Sequence, residues 1–109
     1  MYQDRVARGA KLLDARKPDW FRLVVLDWLS MDSCDDCILG QVYGHFLDGC
    51  VKLGNALMHR EAVVEFGFDL PAAGRYALGP EALDRFEQLA DAWRVEIRRR
   101  LEAGGPQRA

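Results

Sequence analysis

The sequence predicts an all-α protein, a small irregular bundle of about four helices. Apolar residues recur at helical spacing in three separate stretches, and glycine or proline stands where each stretch stops. The one segment that is ambiguous between helix and strand has no second strand to pair with. At 109 residues the chain makes one domain, large enough to bury a core without disulfides or metal. Half of its residues are apolar and 29% are charged, far from the composition of disordered chains.

From Asp4 to about Arg16, Val6, Gly9, Ala10, Leu12 and Leu13 line one face of a first helix. Lys17-Pro18 closes it, because the residue before proline is pushed out of the α region. Asp19 to Leu23 fits a short helical turn that carries Trp20 and Phe21 inward. Val24 to Met31 alternates loosely, Leu26 and Trp28 against Val25 and Asp27. A lone strand is not stable, so this stretch reads as an extended or singly turned connector.

Asp32 or Ser33 supplies the next N-cap, and Asp35 and Asp36 place negative charge in the first turn, where the helix dipole favours it. The second helix then runs to about Leu53 as the central core helix. Leu39, Val42, Tyr43, Phe46, Leu47, Cys50 and Leu53 fall on one face, with Gln41, His45, Asp48 and Lys52 opposite. Gly40 and Gly44 are spaced i, i+4 on its flank. Each costs up to about 1 kcal/mol in a helix interior, so another backbone is expected to approach there: a neighbour within the chain or, if the flank is a groove, a partner or a second copy.

Gly54-Asn55 ends this helix. His59 to Phe66 makes a shorter one stopped by Gly67, and Phe68 to Gly74 is a loop rich in breakers. The last helix has Pro80 at its first position and Glu81 in its first turn. Leu83, Phe86, Ala90, Trp93, Ile97 and Leu101 form its apolar stripe up to Gly104-Gly105-Pro106. Residues 1–4 and 104–109 read as flexible ends.

The stretch Ser33-Cys34-Asp35-Asp36-Cys37 holds the densest chemistry, and it admits three readings. A helix N-terminus lowers a thiol pKa, so Cys34 could serve as a nucleophilic thiolate that Cys37 resolves; against this, no βαβ context surrounds the pair and two aspartates separate the thiols. Cys34 and Cys37 also have zinc-ligand spacing, with His59 the remaining candidate ligand and the tetrahedron incomplete. In the third reading Cys37 packs as a small apolar residue, Cys34 sits near the cap and Cys50 belongs to the core. His45 and Asp48 could form an acid–base pair on the polar face, although such a pair usually makes a solvated surface contact. No phosphate-binding, dinucleotide-binding, zinc-protease or nucleophile-elbow motif occurs.

Several segments together resemble a known family: Arg5-Val6-Ala7-Arg8-Gly9-Ala10 with Leu12-Leu13-Asp14, Pro18-Asp19-Trp20, Gly67-Phe68-Asp69, Leu89-Ala90-Asp91-Ala92-Trp93, and above all Cys34 and Cys37 followed by Leu39-Gly40-Gln41-Val42-Tyr43-Gly44. The family comprises small proteins of actinobacteria and their phages with a signature like C-x-x-C-V-L-G-Q-L-Y-G. The resemblance runs from about Arg5 to Ile97 and departs between Leu70 and Gly79. It implies a genomic setting and no chemistry.

A formal charge of −2 and a pI near 5.6 give no global field to hold a polyanion. Arg98, Arg99 and Arg100 cluster at a helix C-terminus, where cations complement the dipole, so nucleic-acid binding is disfavoured. No run approaches the roughly 18 apolar residues of a membrane span, and no secretory h-region opens the chain. A cytoplasmic protein is expected, in the host cytoplasm if it is phage-encoded. An odd count of three cysteines points to reduced thiols or a transient pair. By elimination the expectation is a non-enzymatic accessory protein that binds another protein, with a homodimer also open. Trp28, Gly40, Gln41, Gly44 and His45 are the candidate partner-binding residues, and a thiol-redox or zinc-stabilised module on Cys34 and Cys37 is the alternative.

Overall fold

In the computed structural model, which describes residues 2–57, 59–71 and 80–104, the spacing of Val6, Ala10 and Leu13 folds into α1 (Gln3–Arg16), which buries all three. Lys17 donates its N–H to Leu13 O and ends the helix. Asp19 takes a left-handed conformation (φ 69°), which aspartate tolerates better than most residues, and directs the chain into a 3-10 turn at Trp20–Arg22. The Val24–Met31 connector is extended, with a single 3-10 turn at Leu26–Trp28, as the sequence predicts.

The central helix differs from its prediction at both ends of the Cys34–Gly44 motif. It begins at Ile38 and breaks at Gly44, giving α2 (Ile38–Tyr43) and α3 (Phe46–Leu53). Ser33 does cap, but only one turn: its Oγ accepts from the N–H groups of Asp35 and Asp36. Cys37 is the N-cap of α2, with Sγ accepting from Gly40 N at 3.3 Å. Gly44 (φ 100°) is its C-cap. His45 then caps α3, its Nδ1 accepting from Leu47 N at 3.1 Å. The break rotates α3 relative to the phase of α2, so Leu47, expected in the core, is exposed, as is Val51.

Gly54 (φ 56°) terminates α3, a 3-10 turn spans Gly54–Leu57, and α4 (Arg60–Glu65) follows with His59 as its N-cap residue. The predicted loop after Phe68 lies outside the described residues beyond Pro71. The long α5 (Pro80–Gly104) starts with proline, as expected. Its buried stripe is Phe86, Leu89, Ala90, Ala92, Trp93 and Ile97; Leu83, placed on that stripe from the sequence, is exposed near the N-terminus of the helix.

The core is built on two tryptophans. Trp20 and Trp93 meet edge to face at 5.7 Å, and Phe68 stacks on Trp93 at 5.3 Å. All three are essentially fully buried, and aromatic pairs of this geometry add about 0.5–1.5 kcal/mol beyond their area. Both indoles find acceptors, Trp20 Nε1 at Asp14 Oδ1 (2.8 Å) and Trp93 Nε1 at Gly67 O (2.7 Å). Arg100 ties α5 to α1 by donating to both Asp14 oxygens and to Glu96 Oε1.

Candidate functional site

Cys34 and Cys37 bracket the turn that precedes α2. Cys34 is exposed, Cys37 is buried and Cys50 is partly buried. The helix terminus invoked to activate Cys34 stands at Cys37 instead. Burial pushes the Cys37 thiol up to about 11, against the opposing effect of the Gly40 N–H. Its Sγ is engaged twice, accepting from Gly40 N and facing Cys34 O at 3.8 Å. A disulfide to Cys34 would remove the Cys37 S–H that faces Cys34 O. The adjoining crevice, about 30 Å³ between Met31, Ser33, Phe46 and Phe68, has room for about one water. Among the described residues no three His, Cys, Asp or Glu side chains converge as a metal centre would need, and His59 is exposed at the start of α4.

Gly40 is buried against the chain's own preceding turn. A Cβ there would fall 2.5 Å from Asp35 C and O, and closer still to Cys34 O. The neighbour expected at Gly40 is thus internal, though it is a turn and not a helix. Gly44 is exposed with nothing within 4 Å of where its Cβ would be; it answers a backbone requirement (φ 100°), not a close approach.

Gln41, assigned from its spacing to a solvent-facing surface, brackets the connector. Its Oε1 accepts from Val25 N at 2.6 Å, and its Nε2 donates to Val25 O and to Asp36 O. This one side chain satisfies the Val25 N–H and adds a second donor to Val25 O, which also accepts from Trp28 N. Its structural effect is to hold the connector against the Ser33–Cys37 turn while Trp28 projects outward.

Trp28 is 65% exposed, with Val25 at 40% on the same connector and Leu23 at 49% just before it. Large apolar side chains grouped in this way are the feature of a monomer surface that calls for explanation. Neither Leu23 nor Val25 was a candidate partner-binding residue from the sequence, where Leu23 closes the short helical turn and Val25 belongs to the ambiguous Val24–Met31 stretch. Of the three terminal arginines, Arg100 is committed to Asp14 and Glu96, and Arg99 pairs with Glu96. Only Arg98 of the proposed basic cluster has no ion pair among the described residues.

No family model, curated protein or solved structure matches the chain. Among the described residues, no helix is long and apolar enough to cross a membrane.

Proposed function

We propose that the chain is a non-enzymatic accessory protein that works by binding another protein through the connector surface centred on Trp28. The observation that carries this reading is the exposure of that indole on a segment whose backbone is pinned by Gln41. A rigid aromatic anchor already held in place loses little conformational entropy on binding, which is the physical character of an interface hot spot. The resemblance to small proteins of actinobacteria and their phages fits an accessory role in the cytoplasm. The cysteine turn supports the fold in this account: a buried thiol with a raised pKa is a poor nucleophile and a poor metal ligand.

The test is affinity capture from a lysate of the source organism with the wild-type protein and Trp28→Ala, after thermal unfolding has shown that the two are equally stable. The reading expects a protein retained by the wild type and lost from the variant. Retention that is indifferent to Trp28 would remove this surface from the account.

A further inference from the structure

We infer that the partner docks through a basic amphipathic segment. This inference rests on Trp28 being the partner anchor, and it adds the chemistry of what meets it.

Charge is segregated along the chain. Between Leu23 and Val51 there are five aspartates, Asp27, Asp32, Asp35, Asp36 and Asp48, and no lysine or arginine; all fifteen basic residues lie outside that stretch. Four of the five are exposed and Asp36 is half-buried. Among the described residues, none of these carboxylates lies within ion-pair distance of a lysine or arginine. On α5, by contrast, Glu81, Glu87, Asp91 and Glu96 are each paired with an arginine. Arg94 reaches the connector at Leu29 O but is already paired with Glu87 and Asp91, so the five aspartates have no basic partner of their own among the described residues.

The fold gathers this charge beside the exposed apolar groups. Asp36 O accepts from Ser30 N on the connector, and Cys34 O accepts from Phe46 N at the start of α3. The acidic turn thus sits between the connector, which carries Val25 and Trp28 and follows exposed Leu23, and α3, whose exposed Leu47 and Val51 are spaced i, i+4 on one face. At the C-terminal end of the connector, Met31 and Asp32 line a groove of about 500 Å³ walled by Leu83, Phe86 and Asp84 of α5, with no lysine or arginine in its lining among the described residues. Apolar floor and carboxylate rim together complement a segment that carries leucine-like residues on one face and Lys or Arg on the other. The same field repels nucleic acid and anionic lipid surfaces.

The probe is a labelled helical peptide with Lys and Arg opposite a leucine-rich face, titrated by fluorescence anisotropy against the full chain. A second peptide keeps the apolar face and replaces every basic residue with Glu. Saturable binding of the basic peptide alone is expected. Trp28→Ala should weaken it about thirtyfold. The triple variant Asp27→Asn, Asp35→Asn, Asp48→Asn should weaken it about tenfold and flatten its salt dependence. Equal binding of both peptides, no saturable binding of the basic one, self-association of the chain in place of peptide binding, or an unaffected triple variant would each overturn the inference. A captured protein that is lost with Trp28→Ala yet retained by the triple variant would overturn it while leaving the protein-binding reading intact; indifference to Trp28 would remove both.

Discussion

Gly40→Ala tests the packing that sets the shape of the Cys34–Gly44 motif. The added methyl would lie 2.5 Å from Asp35 C and O, where ordinary carbon contacts begin near 3.5 Å, so the turn must retreat by roughly 1 Å. These are backbone atoms and cannot rotate away. The retreat pulls Cys34 O from Phe46 N, now 2.8 Å apart, and Gly40 N from the Cys37 sulfur. Two hydrogen bonds at about 1 kcal/mol each and overpacking of about 1–3 kcal/mol give a loss of about 3–5 kcal/mol, a large share of the 5–15 kcal/mol typical of a domain. Urea unfolding followed by far-UV circular dichroism measures it, with a thermal midpoint lowered by roughly 15–20 °C. Gly44→Ala is the control: its methyl meets nothing, and only the positive φ opposes it, at about 1–2 kcal/mol. A Gly40→Ala variant as stable as the wild type, or less perturbed than Gly44→Ala, would refute the reasoning.

The other predictions concern titration and the connector. Because burial raises the Cys37 thiol from 9.0 to about 11, its contribution is present in full below the unfolded value and is lost as pH rises between 9 and about 11. Unfolding measured across that window should weaken in the wild type and less so in Cys37→Ser, while iodoacetamide should label exposed Cys34 well before Cys37, as peptide mass mapping would show. The Arg100 guanidinium holds the Asp14 carboxyl below its ordinary value. Stability from this pair is therefore present above the ordinary carboxylate range and lost as pH falls through the lowered native value; Arg100→Gln should cost about 1–2 kcal/mol at neutral pH and shrink the acid-side loss. Gln41→Ala removes three hydrogen bonds; it should cost about 1–3 kcal/mol and speed chymotryptic cleavage at Trp28.

The helix class, α1, the connector and α5 were legible because their signals are local: a 3-4 apolar repeat, a residue held before proline, a proline at a first helical position. The break at Gly44 was not. Leu39, Val42, Tyr43, Phe46, Leu47 and Cys50 keep helical spacing straight across it, and a glycine inside such a pattern reads the same whether it is helical or left-handed. The His45 cap was equally hidden, since histidine is an uncommon N-cap. Ser33 misled for a related reason, capping a turn that stops one residue short of Cys37, the residue whose sulfur caps the helix. Gln41 shows a tertiary role, pairing with Val25 sixteen residues away, that no periodicity encodes. The segregation of aspartates between Leu23 and Val51, in contrast, is visible in the sequence but takes its meaning only from the fold, which joins the acidic turn to the connector and to the start of α3.

The most direct test of the protein-binding account is acrylamide quenching of tryptophan emission, because Trp20 and Trp93 are fully buried and Trp28 is the exposed indole. The account predicts a quenchable component in the free protein that is absent from Trp28→Phe and disappears when the wild type is saturated with the captured partner. A quenchable component that persists unchanged in the complex would contradict it.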